Sequence, residues 1–188
     1  MRVIAGTAGG RRLQSVPGDG TRPISDRVKT ALFNIIQPTL EGISVLDLFA
    51  GSGGVGIEAL SRGAASCVFT DLSKKATDTI RANLELTGLS SQSEVRTTDA
   101  FWYLRHATKR FDLVYVAPPQ YKGIWVEAMQ TIGERPEIVS PTGSVIVQID
   151  KREYEDLSLA AFTQTDRRDY GDTTLLFFLP HGESSEKI

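Results

Sequence analysis

Apolar runs alternate with amphipathic stretches along most of this chain, and the alternation predicts strands and helices in turn. Residues 43–49 (ISVLDLF), 66–70, 94–97, 111–116 (FDLVYV) and 143–149 (GSVIVQI) read as strands. The near-continuous apolar character of several of them fits a parallel sheet covered on both faces. Residues 26–36 place Val28, Ala31, Leu32 and Ile35 at helical spacing, one buried face with Arg27 and Lys29 off it. Ser25 suits the N-cap of that helix, and Pro38 ends it. Residues 55–62, 73–87, 100–106 and 127–132, the last with Trp125 and Val126, read as further helices, with Gly63 and Gly88 as stops. Residues 163–170 and 173–179 meet at Gly171-Asp172 as a closing hairpin. At the N-terminus, residues 2–6 and 11–16 flank Thr7-Ala8-Gly9-Gly10 and predict a small hairpin outside the main sheet. The expected fold is α/β, a mostly parallel seven-stranded sheet with one antiparallel strand at an edge, plus the N-terminal hairpin. Residues 1–24 form the hairpin and arm, 25–182 the α/β domain, and 183–188 a polar tail expected to fray.

With 188 residues the chain is long enough for one full core and needs no second. Its 21 basic and 23 acidic residues leave a net charge of −2, so the overall balance advertises neither nucleic acid nor membrane. The distribution changes that picture. Arg2, Arg11, Arg12, Arg22, Arg27 and Lys29 face only Asp19 and Asp26 within the first thirty residues, a basic arm on an acidic body and a footprint suited to phosphates. Cys67 is the single cysteine and excludes an intramolecular disulfide. No run of 18 apolar residues exists and the first residues lack a signal-peptide pattern, so a cytoplasmic protein is expected. His106 and His181 are isolated from acidic or cysteine clusters, which argues against a metal site.

The chemistry centres on the turn after the first strand. Gly51-Ser52-Gly53-Gly54-Val55-Gly56 satisfies the G-x-G-x-x-G dinucleotide fingerprint, which brings nicotinamide and flavin cofactors into consideration. Asp47, four residues before Gly51, tilts the choice. A carboxylate there repels a pyrophosphate but welcomes the sulfonium and ammonium of S-adenosylmethionine. Asp71 closes the second strand, 24 residues after Asp47, where a carboxylate can accept ribose hydroxyls, and Asp99 closes the third. The run D-x-F-A-G-S-G resembles motif I of the class I S-adenosylmethionine-dependent methyltransferases, especially those acting on amino groups of nucleic-acid bases. The resemblance implies a Rossmann-like fold and a cofactor site made of Asp47, Phe49, Ala50, Gly51, Ser52, Gly53, Asp71, Leu72, Asp99 and Ala100, with Asp99 toward the adenine amine.

The fourth strand leads into Ala117-Pro118-Pro119-Gln120-Tyr121. Together with MRVIAG, GRRL, TRPISDRVKTALFNI and LDLFAGSGGVGIEALSRGA, this order is similar to that of the bacterial RsmD-like family, guanine-N2 methyltransferases of small-subunit (16S) ribosomal RNA. The likeness runs from Met1 to about Tyr121. It implies ribosomal RNA or the small ribosomal subunit as partner, with Arg11, Arg12, Arg22 and Arg27 on RNA phosphates, no metal and no membrane; the oligomeric state is left open, with a monomer favoured. The family usually has Asp or Asn before the proline pair and Tyr or Phe after it; here stand Ala117 and Gln120. An exocyclic amine is a poor nucleophile whose hydrogens need acceptors, so the expected replacements are the Pro118 carbonyl and the Gln120 side chain, with Pro119 stiffening the loop and Tyr121 stacking on the base. Ala117 leaves a second reading, a catalytically impaired RNA- or S-adenosylmethionine-binding protein of the same fold. A nicotinamide oxidoreductase is a third, weakened by the lack of a second domain and of an acid for a hydride site.

Overall fold

A computed structural model describes residues 1–18 and 24–181. Arg22, one of the four arginines assigned to RNA, and the tail at 183–188 lie outside the described residues. The strands are β1 (Ser44–Asp47), β2 (Ser66–Asp71), β3 (Ser93–Thr97), β4 (Phe111–Val116), β5 (Val139–Asp150), β6 (Phe162–Tyr170) and β7 (Thr173–Pro180). The helices are α1 (Asp26–Ile36), α2 (Gly54–Ser61), α3 (Lys74–Thr87), α4 (Ala100–His106) and α5 (Ile124–Glu134). They build one seven-stranded sheet in the order β3-β2-β1-β4-β5-β7-β6. The sheet order reverses at β1, which lies between β2 and β4 and is parallel to both. A crevice therefore opens at the C-terminal ends of these strands, the usual ligand position in open α/β sheets.

The reversed strand is not at the edge. β7 is antiparallel to both β5 and β6 and sits between them, leaving β6 outermost. Burial explains the order. Leu175, Leu176 and Phe178 of β7 are fully covered, whereas β6 carries Asp166, Arg167, Arg168 and Asp169, charged side chains that suit an edge.

Side chains alternate across the sheet. Val45, Phe69, Tyr115 and Ile146 join a core with α1, α2, α3 and the N-terminal hairpin, while Leu46, Val68, Val114 and Val147 join another with α4 and α5. α1 turns a different face inward from the one its spacing suggests. Val28, Lys29, Leu32, Phe33 and Ile36 are buried, and Ile35 is exposed. Lys29 goes in because Glu58 waits there, in an α2 whose every residue is buried. The Lys29 ammonium lies 3.3 Å from the Glu58 carboxylate and also donates to the Arg2 carbonyl. Glu58 further accepts from the Ile4 and Ala5 backbone N–H groups, at 2.7 and 3.0 Å, and from Arg62 at 2.7 Å. Burial lowers the Lys29 pKa, and the Glu58 carboxylate acts against that shift.

The N-terminal hairpin is short, an Arg2–Arg12 bridge flanked by backbone bonds from Val3 to Arg11 and from Leu13 to Met1. Val3, Ala8 and Leu13 are buried on the helices, and Asn83 of α3 exchanges two side-chain hydrogen bonds with the Gln14 backbone.

Candidate active site

A cleft of about 990 Å³ occupies the crevice, lined from the ends of β1, β2, β3, β4 and β5 and by Met1, Gly18 and Ile24 of the N-terminal segment. Of the ten residues expected around a cofactor, nine line it: Asp47, Phe49, Ala50, Gly51, Ser52, Asp71, Leu72, Asp99 and Ala100. Gly53 does not. It takes a left-handed φ of 81° as the N-cap of α2, and a Cβ there would press on Ile57 and Ile80 at 3.2–3.3 Å, so it faces α3. Gly56, the last glycine of the fingerprint, brings α2 against β2; a Cβ would fall 2.3 Å from the Phe69 ring.

Asp47 is 2% exposed, and its Oδ2 accepts from the Gly56 N–H at 3.0 Å. Burial pushes its pKa up to about 7, the Gly56 bond pulls it down, and the Asp71 charge adds a further upward push. A buried carboxylate beside a cleft with no cation against it among the described residues is set to receive one. Asp71 accepts from the Gly51 N–H at 2.9 Å and the Ser73 N–H at 2.8 Å, tying the glycine turn to β2. Each of its oxygens keeps a lone pair for another donor. Asp99 caps α4 through the Trp102 N–H at 2.8 Å. Leu72 is 73% exposed at the cleft, and Phe49 meets Phe101 edge to face at 6.4 Å; together with Ala100 they offer an apolar wall for a flat ring.

Ala117, Pro118, Pro119 and Gln120 line the same cleft, at the exit of β4. Tyr121 is not among the lining residues. It is the single non-glycine residue with positive φ, 62°, among the described residues, and its hydroxyl donates to Asp150 Oδ2 at 2.6 Å and accepts from Arg152. Its N–H donates to Glu153 at 2.6 Å. These bonds peg the loop to the end of β5 through the Tyr121 hydroxyl and backbone, and the residue is 58% exposed. Arg152 grips Asp150 through both carboxylate oxygens and holds the Asp150 carboxyl far below the usual range.

Of the arginines expected on RNA, Arg11, Arg12 and Arg27 are exposed. Arg11 donates to the Leu86 carbonyl at the end of α3, and Arg2 pairs with Asp26 at 3.1 Å. With Lys29 buried on Glu58, the arm presents less free positive charge than its composition suggests.

Sequence reasoning missed Tyr115, Lys122 and Gln148, which also line the cleft. For two of them the signal was present: in FDLVYV and GSVIVQI, Tyr115 and Gln148 are the polar-tipped residues nearest the C-terminal end of an apolar parallel strand, where side chains meet a ligand.

The family described as conserved hypothetical protein 95 matches this chain over residues 1–179. The chain is 34% identical over 154 residues to ribosomal RNA small subunit methyltransferase D of Haemophilus influenzae, covering 80% of this chain and 79% of that protein. This chain belongs to the RsmD-like family. YlbH of Bacillus subtilis is another relative of the RsmD-like chain, 41% identical over 80% of it and 83% of the relative. Among solved structures, the yhhF protein of Escherichia coli superposes on it with a TM-score of 0.84 at 27% identity, covering 97% of this chain and 99% of the other. The RsmD-like fold is that of the class I S-adenosylmethionine-dependent methyltransferases. No described helix is long and apolar enough to cross a membrane, and the described residues contain no cluster of three or more His, Cys, Asp or Glu side chains that could hold a metal ion.

Proposed function

We propose that this RsmD-like enzyme methylates the exocyclic 2-amino group of a guanine in small-subunit ribosomal RNA. The observation that carries the cofactor assignment is Asp47, a buried carboxylate at the cleft without a cationic partner among the described residues. Its need for a positive charge matches the ammonium of S-adenosylmethionine and would be aggravated by a dinucleotide pyrophosphate. Asp71 would accept the ribose hydroxyls, while Leu72, Ala100 and Phe101 would flank the adenine and Asp99 take its amine. When bound, S-adenosylmethionine supplies a methyl group whose bonding pair leaves with sulfur as a neutral thioether. The residues around Pro118 would hold the guanine amine, which forms the new nitrogen–carbon bond and sheds one proton to water. Exposed Arg11, Arg12 and Arg27 would meet RNA phosphates, an interaction that fades with salt.

The test is methyl transfer from radiolabelled S-adenosylmethionine to small ribosomal subunits, and to free ribosomal RNA, from a strain lacking this gene, followed by nucleoside digestion and mass spectrometry. N2-methylguanosine is the expected product. Label in another nucleoside overturns the guanine assignment, and no transfer to either substrate overturns the reading as a whole.

A further inference from the structure

We propose that Gln148 is the acceptor that positions the target amine, standing in for the side chain that Ala117 lacks, and that Tyr115 fixes its orientation. The inference rests on the methyl-transfer reading above and deepens it.

β4 and β5 run parallel, with Tyr115 opposite Ile146 and Val116 opposite Val147 as the last pairs. One step further along, the same register sets Gln148 beside Ala117, on strands about 4.8 Å apart. Tyr115 and Ala117 share a face of β4 by the two-residue repeat, and Ile146 and Gln148 share the matching face of β5. Asp47 is paired with Tyr115 across β1 and β4, so all of these stand on the side of the sheet that carries the proposed cofactor carboxylate. Tyr115, Ala117 and Gln148 all line the cleft.

Hydrogen bonding then defines what Gln148 offers. The Tyr115 hydroxyl, on a residue only 2% exposed, donates to Gln148 Oε1 at 2.6 Å. A carbonyl oxygen carries two lone pairs, so one remains for an incoming N–H. The phenol bond also pins the amide with its oxygen on this side. Burial and the nearby Asp47 charge push the Tyr115 pKa well up, keeping the phenol a neutral donor. Gln120 also lines the cleft, but on the loop rather than on a strand, and none of the hydrogen bonds of the described residues fixes its amide. A positioned acceptor needs a rigid base, which favours β5, an interior strand, over the loop.

The experiment measures single-turnover methyl transfer to small subunits, with cofactor affinity by calorimetry as the check on folding. Gln148→Leu is expected to slow transfer about 100-fold with cofactor affinity unchanged. Gln148→Glu keeps an acceptor oxygen and is expected to recover most of that rate. Ala117→Asn in the Gln148→Leu background restores an acceptor from the neighbouring strand and is expected to rescue transfer. Tyr115→Phe should lower the single-turnover rate without raising the cofactor Kd, and should add nothing to Gln148→Leu. An active parent whose Gln148→Leu variant keeps its rate overturns this inference alone, as does loss of rate through weakened cofactor binding only. A parent that transfers no methyl to RNA overturns the proposed function and this inference with it.

Discussion

Replacing Asp47 with asparagine separates what this residue costs the fold from what it gives the cofactor. The amide is nearly isosteric, and its oxygen can still accept from the Gly56 N–H, so the change is close to pure charge removal. In the unfolded chain the carboxyl titrates near its ordinary 3.8, and in the folded chain near 7. The native state thus binds more protons between those values, and stability falls as pH rises across that window. Below about pH 4 the group is neutral in both states and costs nothing; above 7 the whole penalty is present. A displacement of roughly three pH units at 1.36 kcal/mol each sets a ceiling of about 4 kcal/mol. Asp47→Asn should therefore unfold later than the parent at pH 8 without cofactor, by several degrees for a chain of this size, with the advantage shrinking toward pH 5. The same variant should bind S-adenosylmethionine about 10- to 100-fold more weakly, because a charge-assisted hydrogen bond of about 1.5–3 kcal/mol is gone. Parent affinity should also weaken below pH 7, where Asp47 must first release its proton, and variant affinity should not. Thermal melts at pH 5 and 8 and calorimetry across that range check each part. A variant no more stable than the parent at pH 8 would falsify the burial argument, and one that binds cofactor equally well would remove Asp47 from the cofactor site.

Asp71→Ala should weaken cofactor binding at least tenfold by calorimetry, since it removes the proposed ribose acceptor and releases the Gly51 turn; unchanged affinity would displace the ribose from this carboxylate. Replacing Arg11 and Arg12 together with alanine should flatten the salt dependence of RNA binding by about 1.4–1.8 in log–log slope while sparing cofactor affinity, and an unchanged slope would reject the phosphate contacts. Glu58→Ala strands the buried Lys29 ammonium and two backbone N–H groups, so urea unfolding should show a loss of about 3–5 kcal/mol. A loss below 1 kcal/mol would mean that water reaches the Lys29 ammonium. Tyr121→Phe keeps the ring but cuts the Asp150 and Arg152 bonds; it should raise hydrogen exchange of the loop after β4, and unaltered exchange would show that the backbone bond to Glu153 suffices.

Local rules made much of this chain legible before any fold was known. Period-two and period-3.6 patterning, Ser25 as a cap, and Gly63 and Gly88 as stops placed α1, α3 and most strands within a residue or two, because each signal acts within one or two turns of its own position. The carboxylates Asp47, Asp71 and Asp99 were readable as a cleft because parallel strands send their C-terminal ends to the same side. Contacts between distant segments were not readable. Nothing near Lys29 in sequence announces Glu58, so the buried face of α1 was misjudged, and the order of β6 and β7 depended on which strand could be covered. The bonds that tie Tyr121 to Asp150, Arg152 and Glu153, some thirty residues away, were not readable either. Gln148 beside Ala117 emerges only from the register of β4 against β5, and register is set by the packing of the whole sheet, which no single stretch of chain contains.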